Sequence, residues 1–324
     1  MRILVYGAGV IGCELAHMLV KAGNDVTLLA RGAWKNTLEQ NGLVIRHYAQ
    51  LCTTTDRVRV IDALPPHYLY DLIFIVMQYG QLPDVLPAVA QNRSRYVVLV
   101  GNNPDAETAL EVLTVHDSGR EVAFGFQGTA GRRENGKVIS IHAGVGMTVG
   151  AFQGRLSSAF QERLERAFDG VKYRLSWEEN MDAWLKCHLA LILPVSYVCY
   201  AVDCRLSKAS RAQRKAILDA ALEGCVMLRG LGVPIRTQDS EDYFRPGKKR
   251  RKMAAVLYIM AKTPLGRLAA SDHCRHAALE MRALDAAFEK LRQKAGVPMP
   301  VWEQLRTQPG VIGAFTSAAE GRKS

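Results

Sequence analysis

Three groups of residues in this 324-residue chain have types and spacings that could do chemistry. The first is Gly7-Ala8-Gly9-Val10-Ile11-Gly12, a G-x-G-x-x-G run that directly follows the apolar segment Ile3 to Tyr6 and opens a helical period. Gly7 permits a tight turn, Gly9 leaves the backbone bare where a pyrophosphate must approach, and Gly12 lets a helix pack close to the strand. The helix N-terminus then faces the phosphates. The second group closes the next strand, Asp25 to Ala30, as Ala30-Arg31-Gly32 with Lys35 shortly after. A site for NAD usually has an acid there for the ribose 2′-hydroxyl, whereas a cation suits the 2′-phosphate of NADP. The bland alternative is an ordinary surface arginine.

The third group centres on Lys186, a charged residue at the start of the otherwise apolar helix in WEENMDAWLKCHLALILPV. When hydride reaches a carbonyl carbon, charge develops on oxygen, and a lysine ammonium can donate the proton and stabilise the alkoxide. Lysine is seldom buried without a reason; the competing reading is a lysine snorkelling from the rim of a core helix. On a regular helix Ala190 and Leu193 share its face, while His188 lies about 200° away and is read as a core or interdomain residue. Further on, a helix expected from Ser271 carries Asp272, His276 and Glu280 at i, i+4, i+8, along one face. His273, His276 and Glu280 imitate a metal face, but no H-E-x-x-H pattern or further ligand accompanies them, so no metal is expected.

The elements that must position these groups read as α/β followed by all-α. Strand, glycine turn, helix (13 to 22) and strand make the first unit. A short helix at Lys35 to Gln40 and an exposed strand at Gly42 to Tyr48 follow. Asp71 to Met77 is a continuous apolar run of the kind buried on both faces of a parallel sheet. Gln78 follows at its carboxyl end, where ligands of open α/β sheets lie. After a helix at Pro83 to Gln91, the strand Tyr96 to Val100 puts Asn102 in the same row. A helix spans about Asp105 to Val115. From Val122 to Ala151 short β segments read as antiparallel strands, with Asn135-Gly136 as a hairpin turn. Beyond Phe152 the pattern is almost wholly helical, near 156–168, 177–203, 208–230, 248–262, 272–295 and 300–306. The expectation is a Rossmann-type N-terminal domain over 1–172 and a mostly α-helical C-terminal domain over 173–324.

Composition excludes several classes. With 48% hydrophobic and 23% charged residues the balance is that of a globular protein, long enough for two cores. No basic-then-apolar leader opens it, and the longest apolar run, Leu189 to Val202, contains Pro194 and reads as too short for a bilayer. The seven cysteines are scattered, with no C-x-x-C pair, and suggest reduced thiols in the cytoplasm. The net charge of +11 favours anionic ligands. The basic run Arg245 to Lys252 reads as a solvated helix start, because no nucleic-acid motif or interleaved aromatic accompanies it.

Together these residues resemble the ketopantoate reductase (2-dehydropantoate 2-reductase) family from residue 1 to about 305. The G-A-G-x-I-G run, Arg31, the strand-end Asn102, Trp184-Leu185-Lys186 as W-x-K, and Asp272 with Glu280 as D-x(7)-E carry the resemblance. It implies NADPH-dependent reduction of a 2-oxo acid to the 2-hydroxy acid, as in pantothenate biosynthesis, in a cleft between the two domains. Lys186 would be the proton donor, with Glu280 binding or orienting the substrate. Asn102 would line the nicotinamide and substrate cleft, and Arg31 would hold the 2′-phosphate. The implied substrate-binding set is Asn102, Lys186, Ala190, Asp272 and Glu280; Gly7 to Gly12, Arg31, Gln78 and Asn102 would serve the cofactor.

Three positions depart from the family. Gln78 stands where lysine is usual, Ala190 replaces an Asn one turn after the lysine, and Leu268 replaces a Ser before the Asp. The last two would leave a larger, more apolar pocket, suited to a different 2-oxo acid or another carbonyl compound. The alternative from another class is an NADP-binding sensor without turnover. Lys186 and Glu280 speak for the enzyme, and the three departures speak for the sensor. A small-molecule substrate and a possible homodimer are the expected partners, with no specific nucleic acid and no membrane.

Overall fold

The computed structural model describes residues 1–236 and 241–320. Two compact units divide at Met181/Asp182. The first unit runs β1 (Arg2–Tyr6), α1 (Val10–Lys21), β2 (Asp25–Leu29), α2 (Gly32–Asn41), β3 (Leu43–His47), β4 (Cys52–Asp56), β5 (Arg59–Ile61), β6 (Leu72–Ile75), α3 (Leu82–Gln91), β7 (Tyr96–Val100), α4 (Ala106–Thr114), β8 (Glu121–Glu134), β9 (Lys137–Gly150), α5 (Ser158–Ala167) and β10 (Arg174–Glu178). The strands form one mixed sheet in the order β4-β3-β9-β8-β7-β6-β1-β2-β5, with β10 pairing β9.

The stretch β5-β2-β1-β6-β7-β8 is parallel throughout. Its chain order reverses between β1 and β6, the Rossmann pattern with its switch point at that pair. The continuous apolar runs explain why these strands are central. Ile3, Leu4 and Val5 of β1 and Leu72 to Ile75 of β6 are fully buried, and each such side chain removed from water contributes roughly 1.5–3 kcal/mol.

Several sequence expectations change here. The segment at 42–48 is no exposed strand: β3 is flanked by β4 and β9 and buries Leu43, Ile45 and His47. In place of three short β segments, β8 and β9 are two 14-residue strands joined at Asn135-Gly136, where both residues have positive φ. Such length lets β9 pair β3 through residues 138–140 and β10 through 146–150. A division after 172 would cut β10 away from that sheet.

The second unit comprises α6 (Met181–Ala201), α7 (Arg211–Gly230), α8 (Lys248–Lys262), α9 (Pro264–Gly266), α10 (Asp272–His276), α11 (Ala278–Ala295), α12 (Pro300–Arg306) and α13 (Pro309–Glu320). It contains no strand among the described residues. The architecture is therefore a Rossmann-type α/β domain followed by a mostly α-helical one. By length and composition α6, at 21 residues, could cross a bilayer, so the shortness argued from its apolar run does not hold; 78% of its apolar window is buried within the protein. The expected 272–295 helix is interrupted. A π-helical turn at Arg267–Ser271 leads into α10, and Ala277 leaves helical geometry with φ −121° and ψ 29° before α11 begins. The i, i+4, i+8 alignment of Asp272, His276 and Glu280 is broken with it.

Candidate active site

The glycine turn lies at the carboxyl end of β1, and each glycine meets a different constraint. Gly7 has φ +119°, and a β-carbon there would lie 2.2 Å from the Val76 carbonyl oxygen just beyond β6. A β-carbon on Gly12 would lie 1.9 Å from the carbonyl oxygen of Gly7, so α1 can sit this close only without one. At Gly9, the N-cap of α1, a β-carbon would meet nothing within 4 Å. Two glycines are thus required by the protein's own packing, and the third borders open space at a helix N-terminus. That is the fit expected for a dinucleotide pyrophosphate. The helix is anchored from behind: Ser140 donates to Glu14 at 2.8 Å, and His17 pairs with Asp56 at 2.7 Å.

Arg31 caps α2, and its guanidinium is held by two acceptors, the Asp62 carbonyl at 3.2 Å from Nε and the Tyr6 hydroxyl at 3.1 Å. Lys35 donates to the Asp62 carboxylate at 2.6 Å. That hydrogen bond pushes the lysine above its ordinary range and holds the carboxyl below its own. Gln78 precedes a short 3₁₀ turn, Tyr79–Gln81, and its backbone N–H donates to the Gln81 side chain at 3.3 Å. Asn102 is buried beyond β7. Beside it, Asn103 is 3% exposed; its amide oxygen accepts from the Asp105 N–H at 3.1 Å, and its amide nitrogen meets no acceptor among the described residues. Asp62, Tyr6 and Asn103 were not singled out from sequence. The signal that points to them is position: Asp62 one residue past the end of β5, Asn103 three past the end of β7, and Tyr6 at the end of β1.

In the second unit Lys186 is paired with Asp182 one turn earlier, at 2.7 and 2.6 Å to the two carboxylate oxygens. Both side chains are largely buried, at 16% and 12% exposure. The i, i+4 spacing in Asp182-Ala183-Trp184-Leu185-Lys186 was legible beforehand, but the apolar setting drew attention to the lysine alone. His188 stacks on Trp184, with ring centroids 5.2 Å apart and planes inclined by 13°. Ala190 is fully buried, and a β-carbon on Gly224 of α7 would lie 2.9 Å from its own. The extra room expected at Ala190 is therefore taken up by the close approach of α6 and α7.

Asp272 and Glu280 are both buried. Asp272 opens α10, with Arg275 at 4.0 Å, and Glu280 lies in the first turn of α11, with His273 at 3.8 Å. The C-terminal end of α6 and the turn after it reach this region, since the Tyr200 hydroxyl donates to the Cys274 carbonyl at 3.0 Å and the Leu206 N–H, beyond the helix, to the Ser271 hydroxyl at 3.2 Å. Among the described residues no three His, Cys, Asp or Glu side chains gather in metal-ligating geometry. In the basic run, Lys249 pairs with Asp242 at 2.8 Å and Arg250 with Asp219 at 2.6 Å, while Arg245 pairs with Glu241. Acidic partners thus offset cations that would otherwise sit badly at the N-terminus of α8.

Residues 3–154 match the family model described as ketopantoate reductase PanE/ApbA. A 2-dehydropantoate 2-reductase of Pyrococcus horikoshii is 31% identical over 86 residues, which cover 26% of this chain and only 27% of that enzyme. Among solved structures, 2-dehydropantoate 2-reductase from Geobacter metallireducens superimposes with TM-score 0.73 at 19% identity, over 97% of this chain and 100% of the other. D-mandelate dehydrogenase, solved with NADH and anilino(oxo)acetate, gives TM-score 0.72 at 15% identity, over 98% and 99%. At these identities the structural likeness establishes the fold. The first part of the chain, just under half of it, is thus similar to the ketopantoate reductase PanE/ApbA family.

Proposed function

We propose that this chain, whose residues 3–154 match the ketopantoate reductase PanE/ApbA family model, is an NADPH-dependent reductase of a 2-oxo acid, acting in the cytoplasm. One observation carries the reading: the turn at Gly7 to Gly12 is closed by its own packing at two glycines and open at the third. Bound NADPH would supply the hydride. Gly9 and the first N–H groups of α1 hold the pyrophosphate, Arg31 and Lys35 take the 2′-phosphate, and Gln78 and Asn102 border the nicotinamide. Lys186 polarises the carbonyl and gives a proton to its oxygen as the carbon accepts hydride, and it recovers a proton from solvent afterwards. Asp182 positions the ammonium between turnovers. Glu280 and Asp272 orient the substrate. The net change is one 2-oxo acid, one NADPH and one proton to one 2-hydroxy acid and NADP⁺.

Two observations bear on the substrate. The tight contact between Ala190 and Gly224 leaves no polar group and no added volume at that place. Leu268 is fully buried. Both favour a 2-oxo acid bound chiefly through its carbonyl and carboxylate. The test is NADPH oxidation followed against a panel of 2-oxo acids, ketopantoate included. Turnover of at least one of them is the expected result. Tight NADPH binding with no turnover of any would replace the enzyme by a cofactor-binding sensor.

A further inference from the structure

The strand ends that would surround the 2′ position of the dinucleotide hold an acid as well as two cations. Strand β5 lies in register with β2, with Ile61 opposite Leu29, and the Ala30 N–H donates to the Ile61 carbonyl at 2.9 Å. Asp62 therefore leaves β5 beside the point where Arg31 leaves β2. Its carbonyl fixes Arg31, and its carboxylate takes Lys35. The other acid near Lys35, Glu39, is farther away at 3.8 Å. In sites for the unphosphorylated dinucleotide an acid in this row accepts the ribose hydroxyls. Here that acid comes from β5, while the usual position at the end of β2 is a cation. A 2′-phosphate drawn to Arg31 and Lys35 has to share the lysine's charge with Asp62 and tolerate the carboxylate beside it.

We infer that Asp62 sets the cofactor preference of this site. Its carboxylate competes with the 2′-phosphate for Lys35 and offers an acceptor to a free 2′-hydroxyl, so the chain takes both NADPH and NADH. The inference rests on the dinucleotide reading of Gly7 to Arg31 proposed above. Asp62 is well exposed, at 62%, so the competition is a screened one and should fade with salt.

The experiment is a fluorescence titration of NADPH and NADH, without substrate, into wild type, Asp62→Asn, Lys35→Ala and Arg31→Ala, at low salt and at about 0.5 M. Asp62→Asn is expected to raise the ratio of NADPH to NADH affinity about five- to tenfold at low salt and by much less at high salt. Lys35→Ala is expected to lower NADPH affinity, and in its background the Asp62→Asn gain should shrink, because the two act as a pair. An unchanged ratio in Asp62→Asn at low salt, with Arg31→Ala still losing NADPH selectively, would remove Asp62 and leave the dinucleotide reading standing. No binding of either dinucleotide by the wild type would remove both.

Discussion

The two units meet their chemical tasks with different materials. In the first, the candidate site is made largely of backbone: a turn, a helix N-terminus and the bare surface at Gly9, with side chains entering at Arg31, Lys35 and Asp62 and, toward the nicotinamide, at Gln78 and Asn102. In the second it is made of side chains, with Lys186 clamped by Asp182 and two buried acids on helices separated by a break at Ala277. A backbone site is specified by glycines at fixed spacing, so it survives divergence of nearly everything around it. A side-chain site depends on the packing of several helices. Ala190 and Leu268, two of the three departures from the family this chain resembles, lie in that packing, while the third, Gln78, stands at a strand end of the first unit.

Four variants sharpen or break this contrast. The largest effect is expected of Lys186→Ala, which should lower kcat about a thousandfold while leaving NADPH affinity in the same titration unchanged. A parallel loss of cofactor binding would mean that the units do not divide the labour as described. Next are the paired glycine variants. Gly12→Ala forces a β-carbon against a backbone oxygen 1.9 Å away and should cost about 3 kcal/mol in thermal or denaturant unfolding. Gly9→Ala, which meets nothing, should unfold like wild type yet lose NADPH affinity. Equal stability losses in the two would contradict the distinct roles given to those glycines.

The smallest effect concerns Tyr197, which is fully buried and donates to Asp285 at 2.6 Å, while Arg306 donates to the same carboxylate at 2.9 and 3.1 Å. Burial, reinforced by the Asp285 charge and hydrogen bond, lifts its phenol well above the ordinary 10.0. A folded-state value above the unfolded one means that the native protein keeps a proton the unfolded chain releases, so this stabilisation is intact below pH 10 and declines as pH rises beyond it. Tyr197→Phe should cost about 1.5 kcal/mol at neutral pH and flatten the alkaline decline in chemical unfolding. A variant as sensitive as wild type above pH 10 would assign that decline to other groups.

The same contrast explains what was legible in the sequence. β1, β6 and β7 were readable because strands buried on both faces are uninterrupted apolar runs, and β2, which contains Thr27, was readable from its place after the glycine turn and helix. The hairpin was readable because Asn135-Gly136 has a turn chemistry of its own. β4 is CTTTD, polar and largely exposed, while β5 has three residues and β10 pairs only β9. Their threonines, valine and isoleucine favour strands only weakly at this length, and none has the apolar run that marks a central strand. Helix α13 opens with Pro309-Gly310 and contains Gly313, so its propensity is poor and it was not anticipated. The break at Ala277 has no glycine or proline to announce it. Among site residues the glycines, Arg31 and Lys186 stood out by type, whereas Asp62 and Asp182 matter through partners that only the fold brings to them.

Helix α6 has a mean hydropathy of 1.3 over its apolar window, and it precedes every other helix of its unit in the chain. During synthesis it leaves the ribosome before α7, α11 and α12 exist to cover it. For that interval the growing polypeptide displays a segment as greasy as a membrane anchor, open to chaperones, to the translocation machinery and to neighbouring chains. The yield of this protein in a host cell should therefore depend on how fast residues 211–306 follow α6, and slower elongation across them should increase the insoluble fraction.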